Sequence, residues 1–163
     1  EYANYASDLT RTVPVNGKFT ERQKEVYTAV LTVMKQAIAI LRPGITLHEY
    51  HKKVGEMMTE QLLKLGLLSQ EEVKNENPDW PAYKKYFMHG TSHYIGLDVH
   101  DVGSWYEPIE AGAMFTVEPG IYIREENMGI RLENDILITE DGHKDLMGHI
   151  PLEIEEIEAA MNA

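Results

Sequence analysis

The chain has 163 residues, with 27 acidic against 15 basic side chains, a formal net charge of -12 and no cysteine. A chain of this length fits one domain and buries roughly 70% of its unfolded surface, so it needs no disulfide, and thiolate metal sites are excluded. The acidic balance repels nucleic acid and anionic membrane, no segment has the apolar length of a transmembrane helix, no signal peptide is visible, and the lack of cysteine fits a reducing, cytoplasmic setting.

The chain opens at Glu1-Tyr2 without a methionine and enters a strand-like pattern at once, which reads as the cut end of a longer protein. Residues 2–15 are expected to be extended, with Asp8, Thr10 and Thr12 on one face and Leu9, Arg11 and Val13 on the other. Asn16-Gly17 then supplies a turn. Thr20-Glu21-Arg22-Gln23 is a capping box, and Val26, Val30, Val33, Ala37 and Leu41 follow at helical spacing until Pro43-Gly44. A second box, Thr46-Leu47-His48-Glu49, opens a helix whose apolar stripe is Leu47, Tyr50, Val54, Met57, Met58, Leu62 and Leu65, closing at Gly66. Between Ser69 and Pro81 the acidic, proline-punctuated sequence predicts a short helix at most and then a surface loop. Phe115 to Ile123 and Ile130 to Thr139 read as two strands, Glu140-Asp141-Gly142 as a turn, and Pro151 to Met161 as a terminal helix. Helices first and strands afterwards predict an α+β fold.

The chemistry concentrates in the strand-rich half. His89-Gly90-Thr91-Ser92-His93, followed by His100-Asp101, sets three imidazoles in a glycine-bearing segment, a grouping suited to holding a metal or moving protons. Thr116 to Tyr122 and Gly129 to Asp135 each place a glutamate, Glu118 and Glu133, in a run of β-branched and aromatic residues. A carboxylate on a half-buried strand is unfavourable unless a cation sits opposite it. Asp8, within Ser7-Asp8-Leu9-Thr10-Arg11-Thr12, is a further candidate. One histidine and three carboxylates form a hard, thiolate-free donor set suited to Mn, Co, Fe(II) or Zn. Strand parity sends Arg131, Glu133 and Asp135 to one face and Ile130, Leu132, Ile136 and Ile138 to the other, so the charged row is expected to face a site and the aliphatic row a core. The same parity groups Thr116, Glu118 and Tyr122.

Each residue also has a plainer reading when taken alone. His93 could be a satisfied or surface histidine, Glu118-Pro119-Gly120 a turn, Asp8 a strand-end cap, and Glu133 an ion-pair partner of Arg131. His48, His51, His143 and His149 sit among polar residues and are expected at the surface.

The segments Tyr5 to Thr12 with Pro14 to Thr20, His89 to Asp101, Thr116 to Tyr122, and Gly129 to Asp135 together resemble the metallopeptidases of the pita-bread fold, most closely Xaa-Pro aminopeptidases. The resemblance implies that residues 1–163 are a single, N-terminally truncated metallopeptidase domain, the C-terminal portion of a catalytic domain. It implies two divalent ions, with Mn expected and Co, Zn or Fe as alternatives. Asp8 and Glu133 would bridge them, while His93 and Glu118 complete one ion's set. Glu118 would also relay a proton, and His89 and His100 would contact substrate and stabilise the oxyanion. Tyr122 and Arg131 would flank the site, with Arg131 pairing a carboxylate. The family's remaining aspartate ligand would precede Glu1, so the second metal site is expected to be weak or empty and the isolated chain weakly active or inactive. Asn134, where relatives often carry an acidic residue, is expected to modulate binding. The implied partners are peptides with proline at the second position and a second copy of the chain, in a homodimer or larger assembly. A prolidase and a non-catalytic pita-bread module binding peptides or proteins are the alternatives. A methionine aminopeptidase fits less well, because its histidine segment has a different spacing and lacks the Leu97-Asp98-Val99-His100-Asp101 run.

Overall fold

Local capping chemistry sets the helices in the computed structural model, which describes residues 2–163. Thr20 starts α1 (Glu21–Ile40), Thr46 starts α2 (Leu47–Lys64) and Ser69 starts the short α3 (Gln70–Lys74). In each box the cap hydroxyl accepts the amide of the third helical residue, whose side chain returns to accept the cap amide, satisfying two otherwise orphaned donors. After α1 the chain turns extended at Leu41, and Gly44 takes φ +87°. Gly66, at φ +69°, ends the turn after α2. A terminal helix, α4 (Ile154–Met161), is capped from one side, with the Leu152 and Glu153 amides donating to Glu156 Oε2. Among the described residues, no helix is long and apolar enough to cross a membrane.

The expected two strands are each broken in the middle, giving β1 (Met114–Val117), β2 (Gly120–Ile123), β3 (Met128–Arg131) and β4 (Asn134–Thr139). A further short strand, β5 (Gly142–Asp145), follows the predicted turn and pairs antiparallel with β4. β1 pairs with β4 and β2 with β3, both antiparallel and in one continuous register: stepping inward from Val117↔Asn134 and Gly120↔Arg131 leaves Glu118 opposite Glu133. At that break the two glutamate amides turn to other segments, Glu118 donating to the Thr91 carbonyl at 2.7 Å and Glu133 to the Thr10 carbonyl at 3.1 Å. The interruption is therefore a redirection of backbone hydrogen bonds, and it draws in the histidine segment on one side and the N-terminal segment on the other.

That N-terminal segment was expected to be a strand. It is instead irregular, with an isolated bridge between Thr10 and Glu133. Its expected two faces survive. The Thr12 hydroxyl donates to the Arg131 carbonyl, and the Asp8 amide donates to Asp135 Oδ2. Arg11, on the other side, donates to the carbonyls of Glu133 and Pro151 and to Asn134 Oδ1.

α1 packs between α2 and strands β1 to β3. Its predicted stripe is buried, as is that of α2 except for Met57 and Leu65, which are half-buried. Full burial of one such aliphatic side chain stabilises by about 1.5–3 kcal/mol. The aliphatic row follows the parity prediction across the break, with Ile130, Leu132, Ile136 and Ile138 in the core; of the charged row, Arg131 and Glu133 line a cavity, while Asp135 is buried and does not line it.

Candidate metal centre

The redirected backbone at Glu118 and Glu133 creates a cavity of about 510 Å3 into which Asp8, His89, His93, His100, Glu118, Arg131 and Glu133 converge. Of the eight residues singled out in the sequence, Tyr122 alone is absent from this lining, and it reaches the site through His89.

His93 is oriented by its neighbours. Its Nδ1 lies 2.9 Å from the Tyr94 carbonyl, which can only accept, so Nδ1 carries a proton. In the neutral ring Nε2 then presents a lone pair towards Glu118 Oε1 at 3.4 Å and Asp8 Oδ2 at 4.0 Å. One ligand atom each from Asp8, His93 and Glu133 lies within 4.8 Å of the others. A lone pair facing several carboxylates is repulsive unless a cation sits between them, and the donor set is that of a hard or borderline divalent ion.

The carboxylates carry the mark of this crowding. Burial pushes Glu118 up to about 7, and the neighbouring Glu133 and Asp8 push in the same direction, against a smaller opposing effect of Arg131. Burial also raises Glu133, while the Thr10 hydroxyl holds it down. Asp135, directly behind the site, is pushed up to about 6, mainly by burial. Its Oδ2 accepts the Asp8 amide, whereas its buried Oδ1 has no partner among the described residues. These groups fit a bound cation, which would relieve the repulsion that raises them.

Arg131 was expected to pair with a carboxylate directly, and the structure corrects that expectation. No carboxylate lies within ion-pair distance of its guanidinium among the described residues. Its Nε donates to the Thr10 hydroxyl at 3.1 Å, and that hydroxyl donates to Glu133 Oε2 at 2.5 Å. The cation thus acts on Glu133 through Thr10, a residue that strand parity placed on the correct face without assigning it to the site. Burial raises the Tyr122 pKa, and the nearby Arg131 cation opposes that rise.

His89 Nδ1 faces the Gly90 carbonyl at 2.7 Å, so this nitrogen holds the proton and Nε2 accepts from the Tyr122 hydroxyl at 2.8 Å. Burial lowers the His89 pKa, which favours this neutral form. His100 stacks on His93, with ring centroids 4.0 Å apart and planes 12° from parallel. Asn134 does not line the cavity: its amide donates to Asp145 Oδ2, and its oxygen accepts from Arg11, whose guanidinium also donates to the Glu133 carbonyl.

Among the four histidines expected at the surface, His48 and His149 are exposed. His143 is half-buried against the Leu41 carbonyl. His51 departs furthest. Its Nε2 donates to the Ser92 carbonyl at 3.1 Å, its ring meets Trp105 edge-on, and burial pushes its pKa down to about 4. Adjacent Lys52 and Lys53 made this position look solvated.

The family model for metallopeptidase family M24 matches residues 1–140. The chain belongs to metallopeptidase family M24. Among M24 relatives, the Xaa-Pro aminopeptidase of Haemophilus influenzae is 42% identical over 99% of this chain and 40% of its own length. That of Escherichia coli is also 42% identical, over 100% of this chain and 39% of its own length. The chain therefore spans about 40% of the relatives it matches. The solved structure of zinc-substituted E. coli aminopeptidase P in complex with product superposes with a TM-score of 0.89 at 43% identity, covering 99% of this chain and 39% of that one. The expected α+β pita-bread fold is thus the fold observed. Within that M24 frame, Asp8, His93 and Glu133 are the groups close enough together to hold a metal ion, with Glu118 beside His93.

Proposed function

We propose that this chain carries the metal centre of an Xaa-Pro aminopeptidase, a hydrolase of the bond between an N-terminal residue and a following proline. The observation that carries the reading is the convergence of the oriented His93 Nε2 with Asp8, Glu118 and Glu133, none of which pairs directly with a Lys or Arg among the described residues. The names of the M24 relatives support the substrate class.

Asp8 and Glu133 would bridge two divalent ions, and His93 and Glu118 would complete the set of one. Mn is the metal we favour, with Co, Zn or Fe as alternatives. The second ion would draw on the two bridges alone within this chain and should bind more weakly. Two metals at full occupancy in elemental analysis of the purified chain would contradict that. When bound, such ions supply charge that acidifies a water and polarises the scissile carbonyl.

This chain's residues perform the remaining steps. Glu118, which lines the same cavity, would take a proton from the attacking water and return it to the leaving proline nitrogen. His89 and His100 face the same cavity and would contact substrate, supplying hydrogen bonds to the charge that develops on the carbonyl oxygen. Tyr122, donating to His89 Nε2, and the Gly90 carbonyl at Nδ1 together orient the His89 ring. A cytoplasmic enzyme acting as a homodimer or larger assembly completes the proposal.

The test assays the full-length, Mn-loaded protein on peptides with proline second, on dipeptides ending in proline, and on peptides starting with methionine. Turnover of the first group is expected. Turnover of the dipeptides alone would indicate a prolidase, and no turnover by metal-replete protein would leave the non-catalytic module.

A further inference from the structure

Among the described residues, Trp105 is the one lining position of the cavity over the carboxylates that offers an aromatic wall of hydrocarbon character; the others are histidines, carboxylates, Arg131, Ser92 and Gly90. Trp105 lies outside every motif discussed above, and 47% of its surface is exposed. Leaving so much indole in water is unfavourable, and this indole is held in place to remain so. The His51 ring meets it edge-on with centroids 4.7 Å apart, and the Trp105 carbonyl accepts the His48 amide at 3.0 Å. His51 is itself fixed by its bond to the Ser92 carbonyl. Gly90 permits this arrangement, since a Cβ there would come within 2.9 Å of His51 Cε1. α2 therefore braces Trp105 and the His89 to His93 segment through one half-buried imidazole.

We infer that Trp105 is a substrate-contacting, specificity-determining residue, whose indole receives an apolar side chain of the peptide beside the scissile bond. The inference rests on the peptidase reading above. A peptide entering the cavity finds one apolar surface on which such a side chain can leave water. Asp8, Glu118 and Glu133 on the same walls disfavour an acidic side chain, so the cavity selects apolar over acidic residues by attraction and repulsion together. His51 acts as a positioning residue that keeps the indole turned to the cavity.

The test uses full-length, metal-loaded wild type, Trp105→Ala and Trp105→Phe. Substrates are proline-second peptides in matched pairs carrying Phe or Asp at the first or third position. Trp105→Ala is expected to lower kcat/KM roughly tenfold for the Phe member of at least one pair, with a much smaller loss for its Asp partner. Trp105→Phe should restore most of the loss, and metal content should not change. Equal losses within both pairs, or none, would overturn the inference. A second readout does not depend on turnover or on the alanine variant folding. With every other tryptophan of the full-length protein, Trp80 included, replaced by phenylalanine, the change in tryptophan emission on titrating the Phe-containing peptides should persist while Trp105 is present and vanish in Trp105→Phe. An emission change retained in Trp105→Phe, or absent from wild type, would overturn the inference. Wild type that hydrolyses none of the peptides defeats the peptidase reading alone, and the emission titration still decides whether Trp105 meets the peptide.

Discussion

Replacing Glu118 by glutamine should stabilise the metal-free protein at alkaline pH while weakening its metal site. Glu118 is pushed from 4.5 in the unfolded chain to about 7 in the fold, chiefly by burial and then by Glu133. The folded state therefore holds this proton more tightly than the unfolded state does. Its contribution to stability is complete below about pH 4.5 and is lost as pH rises through about 7. A tenfold difference in proton affinity between the two states corresponds to about 1.4 kcal/mol, so the metal-free fold loses about 3 kcal/mol from this group between pH 4.5 and 8. Glu133 and Asp8 share the repulsion, and about 2–3 kcal/mol is expected for the single substitution. Glu118→Gln presents a neutral side chain of the same shape at every pH. Urea unfolding of chelator-treated protein should show little difference between variant and wild type at pH 4.5 and a gain of that size for the variant at pH 8. Saturating Mn should reverse the order, since an ion bound only by the fold stabilises by about 4 kcal/mol at a thousandfold excess over Kd. A glutamine variant no more stable than wild type at pH 8 without metal would refute the reasoning that crowded, uncompensated carboxylates define the site.

Three further outcomes follow from individual contacts. Thr10→Val removes the hydroxyl that links Arg131 to Glu133 and should weaken metal binding by about 10–100-fold, read by competition against a chelating dye. Tyr122→Phe takes away the donor to His89 Nε2; kcat should fall roughly tenfold or more while metal content in elemental analysis stays unchanged. Gly55→Ala brings a methyl within 2.6 Å of the buried face of Tyr83, so a loss of about 1–3 kcal/mol is expected in urea unfolding, with the metal site intact.

How far the sequence could be read depended on whether each feature is made by neighbouring residues. Thr20 with Gln23, and Thr46 with Glu49, announce their helices because a capping box closes within one turn. The aliphatic row from Ile130 to Ile138 follows from strand parity for the same reason, and the break between β3 and β4 does not shift that parity. The break itself was not legible, since the Glu118 and Glu133 amides find their acceptors at Thr91 and Thr10, far along the chain. β5 escaped because Gly142, His143, Lys144 and Asp145 carry no apolar alternation, and pairing with β4 alone makes them a strand. The N-terminal segment had the composition of a strand but lacks a continuous partner, so its side chains are held by Glu133, Asp135 and Arg131 instead. All four expected metal-binding positions meet in the cavity, because ordered motifs encode them. Thr10, His51 and Trp105 enter the site through contacts that no local pattern records.

The most direct test of the proposed centre is calorimetric titration of the metal-free protein with Mn at pH 7, in buffers of different ionisation enthalpy. Saturable binding with release of protons is expected, because Glu118 must deprotonate to become a ligand and its pKa in the metal-free fold lies near that pH. His93→Ala should abolish the tight phase. Binding that releases no proton, or that survives His93→Ala unchanged, would contradict a metal centre built on Asp8, His93, Glu118 and Glu133.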